Sequence, residues 1–170
     1  INKTYLQLLN QKGPAVKDRI IVLDPGHGGK DPGAVKKDAR EKEIVLKVAN
    51  LVKQKLEKDG AKVKMTRSGD TYPSLEDRVR YAKNENGDIF ISLHANAAAK
   101  ESANGTETFY SVTSNANEKE DLALATAINN EIVKNAKMYN RGVKRADYVV
   151  IKGNVMPAVL VELGFITNNE

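Results

Sequence analysis

The chain lacks cysteine and tryptophan and has few aromatic residues, and each shortage excludes a class of protein. Without cysteine, disulfide frameworks and thiolate metal sites are excluded. Aromatic residues make up only 5% of the chain and are not interleaved with basic ones, so no nucleic-acid platform is predicted. No apolar run approaches the roughly 20 residues that a membrane-spanning helix needs, so no membrane span is predicted either.

What is present is the composition of an ordinary globular domain. The 170 residues are 41% hydrophobic and 29% charged, which fits a single folded domain. Lysine and arginine number 27 against 22 acidic residues, a net charge of +5 that suits an anionic surrounding without identifying one. We predict a linker or leader over residues 1–18 and the folded domain over residues 19–170. Because Ile1 stands where a methionine would open a chain, we expect a piece processed or excised from a longer protein.

Hydrophobic periodicity predicts strands that alternate with helices. The predicted strands cover residues 20–23, 61–67, 88–93, 106–112, 143–151 and 157–161. Helices are predicted over residues 41–58, from a capping box at Ser74, and from an N-cap at Asn117. The two long helices have apolar stripes that are expected to face the core: Ile44, Val45, Val48, Leu51, Val52 and Leu56 in the first, and Leu122, Ala125, Ile128, Ile132 and Val133 in the last. This alternation predicts the α/β class with a mostly parallel sheet.

Titratable side chains follow three of these strands. His27 follows the first strand, His94 the third, and Glu162 the last, while Glu41 stands where a glycine-rich loop enters the first helix. In an open α/β sheet, the crevice beyond the carboxyl ends of parallel strands is the usual functional site. We therefore expect these four side chains to converge.

Two imidazoles and one carboxylate form a Zn²⁺ ligand set with one open position. Water bound there becomes a nucleophile near neutral pH, and a further carboxylate that does not bind the metal can move its proton. On chemistry alone, Glu41 and Glu162 could fill these two carboxylate roles in either order.

Simpler interpretations compete with a metal site. A histidine at a strand end is more often a hydrogen-bonded structural residue, and Glu41 or Glu43 could simply stabilise the start of a helix. Glu162 is harder to explain this way, because an unpartnered acid within Val-Leu-Val-Glu-Leu-Gly-Phe would be costly. The loop Gly-His-Gly-Gly-Lys at residues 26–30 lacks the spacing of the known phosphate-binding loops, which disfavours nucleotide binding.

Several short motifs occur in order along the chain. The first is Ile-Val-Leu-Asp-Pro-Gly-His-Gly-Gly at residues 21–29, followed by Asp-Pro-Gly-Ala at residues 31–34. The others are Arg-Glu-Lys at 40–42, Phe-Ile-Ser-Leu-His-Ala-Asn at 90–96, Arg-Gly-Val-Lys at 141–144, and the segment at 157–168. Together these segments, from about residue 20 to residue 168, resemble the motifs of the zinc-dependent N-acetylmuramoyl-L-alanine amidases, which are cell-wall hydrolases of the amidase-3 type.

The resemblance implies one Zn²⁺ ion held by His27, Glu41 and His94, with Glu162 as the catalytic acid/base. It thereby assigns metal binding to Glu41 and proton transfer to Glu162, a choice that chemistry alone left open. It also implies a single amidase catalytic domain with a mixed, mostly parallel sheet of about six strands, flanked by helices on both faces. The implied reaction is hydrolysis of the amide bond between N-acetylmuramic acid and L-alanine in peptidoglycan.

The same resemblance implies an extracellular or cell-wall location, or a periplasmic one in a bacterium with two membranes. We expect a monomer that forms part of a larger protein with wall-binding domains. Members of the family continue beyond the last motif into a further helix, which we expect to be missing from this chain. Two alternatives stay open: a zinc carboxypeptidase that acts on stem peptides, and a non-catalytic wall-binding module whose zinc is structural.

Overall fold

A computed structural model describes residues 15–113 and 116–168, and its centre is one six-stranded sheet. The predicted leader at residues 1–18 lies outside the described residues as far as residue 14. In spatial order, its strands are Lys62–Met65, Ile20–Pro25, Ile89–Asn96, Ala158–Phe165, Thr106–Tyr110 and Asn140–Arg145. All neighbouring pairs are parallel except Ala158–Phe165 and Thr106–Tyr110, which are antiparallel. The mixed, mostly parallel sheet of about six strands is therefore confirmed.

Within the described residues there are eight strands and four helices, with the following bounds. The strands are β1 (Ile20–Pro25), β2 (Val35–Lys36), β3 (Ala39–Arg40), β4 (Lys62–Met65), β5 (Ile89–Asn96), β6 (Thr106–Tyr110), β7 (Asn140–Arg145) and β8 (Ala158–Phe165). The helices are α1 (Glu41–Lys58), α2 (Leu75–Asn84), α3 (Glu118–Ala136) and α4 (Val149–Lys152). Strands β2 and β3 form a separate small hairpin that the sequence did not predict. Within the described part of the chain, no helix is long and apolar enough to span a bilayer.

Helices cover both faces of the sheet, as predicted. Because side chains alternate along a strand, each strand supplies both faces. The long helices α1 and α3 cover one face, where Val45 and Ala125 pack against Val159 and Val161 of β8. The short helices α2 and α4 cover the opposite face, against a cluster centred on Phe90. We call this second side the α2/α4 face.

Local signals explain where α1 and α2 begin and end. Helix α1 has the bounds that the sequence predicted, with acidic residues in its first turn and Lys55 and Lys58 in its last, which suits the helix dipole. At the start of α2, the Ser74 hydroxyl accepts a hydrogen bond from the Asp77 amide, and the Asp77 carboxylate accepts one from the Ser74 amide. The predicted capping box is therefore present.

The prediction of one strand over residues 143–151 was wrong. Strand β7 ends at Arg145, and residues 149–152 form the short helix α4. Three successive β-branched residues favour a strand locally. In the fold, however, a helical turn buries Val150 and Ile151 against the α2/α4 face, and this tertiary packing outweighs the local preference.

Two leucines that were predicted to face the core are exposed. Leu51 of α1 is 58% exposed and Leu122 of α3 is 42% exposed. Both helices bury a narrower stripe around small residues, Ala49 in α1 and Ala125 in α3, which are fully buried. Helical periodicity marks the apolar side of a helix, but it does not determine how much of that side the sheet covers.

Candidate metal centre and catalytic cavity

The structure brings three of the predicted site residues together. The potential ligand atoms of His27, Glu41 and His94 all lie within 4.8 Å of one another. The Oε1 atom of Glu41 is 3.1 Å from His27 Nε2 and 3.0 Å from His94 Nδ1. The two imidazole rings meet edge to face with their centroids 4.8 Å apart. We call these three residues the His–Glu–His cluster.

Glu41 is the buried centre of the cluster and is only 4% exposed. It is the first residue of α1, so its carboxylate is positioned by the start of a long helix. Burial alone would raise the pKa of Glu41. Hydrogen bonds from both imidazoles and from the amides of Ala34 and Ala95 outweigh burial and hold its pKa far below the ordinary range. The carboxylate is therefore ionised at any physiological pH.

His27 is oriented by a second acid. Its Nδ1 atom lies 2.8 Å from Asp31 Oδ2, which leaves Nε2 directed toward Glu41. Burial lowers the pKa of His27, but its hydrogen bonds with Glu41 and Asp31 outweigh burial and raise it above the ordinary value. A carboxylate on the outer nitrogen fixes the tautomer of a metal-binding histidine. No role for Asp31 was predicted from the sequence.

We expect Asp31→Asn to weaken metal binding by about 10- to 100-fold, because a neutral amide orients the imidazole and supports its basicity less well than a carboxylate. Isothermal titration of the metal-free protein with Zn²⁺ measures this. Asp38→Asn is the matched control, since Asp38 is an exposed acid in the turn between β2 and β3. An Asp31→Asn affinity within twofold of the unmodified protein would exclude an orienting role.

Two buried arginines hold the loop that carries His27. Arg78 donates to the carbonyl oxygens of Pro25 and His27, and Arg67 donates to those of Pro25 and Gly26, all at 2.8–2.9 Å. Both arginines are at most 3% exposed. His27 itself has a φ of 58°, a left-handed conformation that a non-glycine residue keeps only when its surroundings impose it. The arginines supply such surroundings.

The packing of this loop against His94 requires glycine at position 26. A Cβ atom added to Gly26 would lie 2.3 Å from Cε1 of the His94 ring, closer than two carbon atoms can approach. The loop thus passes directly against the imidazole, and any larger residue would displace His94 from the cluster.

Glu162 lies beside the cluster, on the strand next to the one that carries His94. His94 of β5 and Glu162 of β8 are paired across neighbouring parallel strands. The sequence placed both residues just after their strands, whereas the structure continues β5 to Asn96 and β8 to Phe165. Among the described residues, the Oε2 atom of Glu162 is one of the few buried side-chain oxygens without a hydrogen-bond partner.

Burial raises the pKa of Glu162 to about 7, and the negative charges of Glu41 and Glu107 add to this rise while His94 opposes it. A carboxyl with a pKa near neutrality can both accept and donate a proton at physiological pH. In the metal-free protein, Glu162 can therefore exchange a proton near neutral pH.

This pKa shift makes the stability of the metal-free protein depend on pH. A carboxyl that binds its proton more tightly when folded stabilises the fold below its ordinary pKa of 4.5 and loses that contribution as the pH rises to about 7. The loss amounts to at most about 3 kcal/mol. We expect the free energy of unfolding, measured with urea, to decline between pH 4.5 and pH 7. The Glu162→Gln variant should lack it, and equal slopes in both proteins would contradict the raised pKa.

An open cavity of about 360 Å³ gives access to these groups. It lies on the α2/α4 face, where the two short helices leave part of the sheet uncovered. Its lining includes His27, His94, Glu162, Leu160 and Tyr148. A larger groove of about 690 Å³ lies between α1, α3 and the end of β8, and it contains none of the four predicted site residues. The smaller cavity is therefore the candidate site.

The cluster offers a donor set that suits a zinc ion. Zinc–ligand bonds of about 2.1 Å at tetrahedral angles place neighbouring ligand atoms about 3.4 Å apart. The nitrogen–oxygen separations of 3.0 and 3.1 Å in the cluster are close to this value. Two nitrogen donors and one oxygen donor suit Zn²⁺, and three protein ligands are typical of catalytic rather than structural zinc sites. The residues present could therefore hold the metal.

Comparison with known proteins relates this site to a family. The family described as N-acetylmuramoyl-L-alanine amidase (Amidase_3) matches residues 21–170. The chain is 44% identical over 162 residues to N-acetylmuramoyl-L-alanine amidase LytC of Bacillus subtilis, covering 95% of this chain and 32% of LytC. It is 43% identical over 156 residues to the probable cell wall amidase LytH of Staphylococcus epidermidis, covering 90% of this chain and 50% of LytH. The chain thus spans a third to a half of these curated relatives.

A solved structure has the same fold. N-acetylmuramoyl-L-alanine amidase AmiC2 of Nostoc punctiforme superimposes with a TM-score of 0.82 at 34% sequence identity, over 94% of this chain and 84% of AmiC2. The family match over residues 21–170 covers most of the chain and includes His27, Glu41, His94 and Glu162. The chain therefore belongs to the N-acetylmuramoyl-L-alanine amidase family of the Amidase_3 type.

Proposed function

We propose that this domain hydrolyses the amide bond between N-acetylmuramic acid and L-alanine in peptidoglycan. The observation that supports this most strongly is the buried, unpartnered Oε2 atom of Glu162, which lies beside the His–Glu–His cluster in an open cavity. In this proposal His27, Glu41 and His94 hold one Zn²⁺ ion, and Glu162 stays off the metal. When bound, Zn²⁺ supplies Lewis acidity, which polarises an amide carbonyl and makes water a usable nucleophile near pH 7.

The residues of the chain then perform the proton transfers. Glu162 accepts a proton from the attacking water and returns it to the amide nitrogen as that nitrogen leaves with the alanine. Asp31 keeps the His27 tautomer fixed, and the two arginines keep the His27 loop in place throughout. The cavity wall formed by Leu160 and Tyr148 limits the water that surrounds Glu162.

Two other functions use the same centre. A non-catalytic wall-binding module would need a closed zinc site with four protein ligands, whereas the cluster found among the described residues has three. A zinc carboxypeptidase would release single amino acids from stem peptides. The open cavity beside Glu162 disfavours the first alternative, and analysis of the reaction products separates the second.

The relatives also support a proposal about location. LytH is named a probable cell wall amidase. We propose that the present domain likewise acts at the cell wall or outside the cell, as a monomer within a larger protein that carries wall-binding domains. We also propose that residues 1–18 serve as the linker or leader of the catalytic domain, which begins at residue 19.

Digestion of purified peptidoglycan by the zinc-loaded protein tests the proposed reaction. We expect new amino termini of L-alanine and no new reducing sugar ends, because the bond broken is an amide and not a glycosidic bond. The chelated, metal-free protein is the control and should release neither. Release of single amino acids would indicate a carboxypeptidase. The absence of any product from protein with bound zinc would contradict the amidase proposal.

A further inference from the structure

A buried acid beside Glu162 holds two basic side chains that the proposed chemistry does not use. Glu107 is only 4% exposed. Its Oε1 atom accepts a hydrogen bond from Asn96 Nδ2 at 2.9 Å. Its Oε2 atom accepts from Arg141 Nε at 3.1 Å and from Lys144 Nζ. Two cations therefore share one carboxylate, and the side chains of Glu107, Arg141 and Lys144 together carry a net charge of +1.

The pairing of strands places this group in line with the proposed catalytic residues. His94 of β5 pairs with Glu162 of β8, and Glu162 pairs in turn with Glu107 of β6. Strand β7, which carries Arg141 and Lys144, is the next strand and forms the edge of the sheet. A row of charged side chains thus crosses the sheet from the His–Glu–His cluster to its edge. Neighbouring strands are about 4.8 Å apart, so β7 lies about 10 Å from β8.

Both cations keep donors that can reach a ligand. The side chain of Arg141 is 32% exposed and that of Lys144 is 42% exposed. The Arg141 guanidinium lies 4.8 Å from the centroid of the Phe165 ring, and Lys144 Nζ lies 6.0 Å from that of Phe109. A guanidinium has five N–H donors and an ammonium has three, and Glu107 takes one from each. The two head groups are therefore held in place with donors to spare.

We propose that Arg141 and Lys144 form a subsite for a free carboxylate on the peptide side of the scissile amide. This inference rests on the proposed function, since it assumes that an alanine nitrogen leaves beside Glu162. The residue after that alanine can place a carboxylate about 7 Å from the leaving nitrogen. Strand β7 is about 10 Å from β8, which carries Glu162. The long side chains of Arg141 and Lys144 can span the distance that remains between β7 and such a carboxylate. One net positive charge matches one carboxylate.

Binding of two dipeptides that differ only in this group tests the subsite. The probes are L-alanyl-γ-D-glutamate, which has a free α-carboxylate, and its α-carboxamide. Dissociation constants with the zinc-loaded protein would be measured by NMR chemical-shift titration. We expect the unmodified protein to bind the acid about tenfold more tightly than the amide, because charge-assisted hydrogen bonds are the strong ones. Arg141→Gln and Lys144→Gln should each remove most of this preference and leave amide binding unchanged.

Charge-conserving and neighbouring variants serve as controls. Lys144→Arg keeps the charge and should keep the preference for the acid, which separates loss of charge from damage to the fold. Arg145→Gln removes a cation from the same strand. Arg145 donates a hydrogen bond to the Tyr110 hydroxyl and forms an ion pair with Glu118 instead of Glu107. The preference for the acid should therefore persist in this variant.

Three results would overturn the subsite. The first is equal affinity of the unmodified protein for the acid and the amide, and the second is an unchanged preference for the acid in both glutamine variants. The third is an equal loss of affinity for both dipeptides in the glutamine variants. The peptidoglycan digest fails or succeeds independently of this titration. A protein that prefers the acid but releases no alanine termini would keep the subsite and lose the proposed reaction.

Discussion

Replacing Glu162 with glutamine is expected to lower kcat for the release of L-alanine termini by about 10²- to 10⁴-fold, the usual contribution of a general acid/base. The amide keeps the size of the side chain but can no longer accept and return a proton. Metal affinity should stay within about twofold of the unmodified protein, because Glu162 is outside the His–Glu–His cluster that we propose as the ligand set. Peptidoglycan digestion measures kcat, and isothermal titration with Zn²⁺ measures the affinity.

A matched control uses a glutamate that pairs elsewhere. Glu85 forms an ion pair with Lys64 and does not line the cavity. Glu85→Gln should leave both kcat and metal affinity unchanged. If Glu162→Gln hydrolysed peptidoglycan at nearly the rate of the unmodified protein, Glu162 would have no part in proton transfer. If the variant lost zinc instead, Glu162 would be a ligand.

Replacing His94 with alanine is expected to remove most of the zinc-dependent stabilisation. A metal that binds only the folded state stabilises it by about 4 kcal/mol when its free concentration is a thousandfold above the dissociation constant. With two of three protein ligands left, we expect affinity to fall at least about a hundredfold, more than the loss of an orienting residue costs. Thermal unfolding with and without Zn²⁺ measures the difference.

Cobalt substitution distinguishes loss of the ligand from loss of the fold. The d–d absorption of bound Co²⁺ reports the ligand set directly, and circular dichroism of the metal-free proteins reports folding. We expect His94→Ala to stay folded while its cobalt spectrum weakens or changes. Zinc binding by His94→Ala with the affinity of the unmodified protein would place the metal site elsewhere.

The sequence predicted the parts of this fold that depend on local signals. Helix α1 has the predicted bounds because its acidic start, its basic last turn and the following Asp59-Gly60 turn are all encoded locally. The capping box at Ser74 is equally local. The four candidate site residues also stand out in the sequence, because each is a titratable residue next to a strongly apolar or glycine-rich segment.

Features that depend on contacts between residues far apart in sequence could not be predicted. His94 and Glu162 lie within strands rather than after them, because pairing with neighbouring strands extends β5 and β8 through polar residues. The helical turn at residues 149–152 depends on burial against Phe90, which is far away in sequence. The exposed Leu51 likewise reflects how far the sheet covers its helix.

Buried charges are the most informative residues that sequence reasoning missed. Arg67 and Glu107 look like ordinary residues of half-exposed strands. Their roles become visible only when the fold brings the Pro25 and Gly26 carbonyls to Arg67, and two basic side chains to Glu107. A buried charge requires partners, but the sequence does not say which ones. The contacts that position the His27 loop, and the charged group on which the proposed subsite rests, are therefore visible only in the structure.

We propose that Glu41 binds the metal and that Glu162 moves the proton, and anomalous diffraction from zinc-soaked crystals of the Glu162→Gln variant tests this assignment. We expect one strong anomalous peak bonded to His27, Glu41 and His94, with residue 162 nearby but outside bonding distance. A peak bonded to Glu162 in the unmodified protein and absent from the variant would contradict it, because Glu162 would then be a ligand and Glu41 would be left for proton transfer.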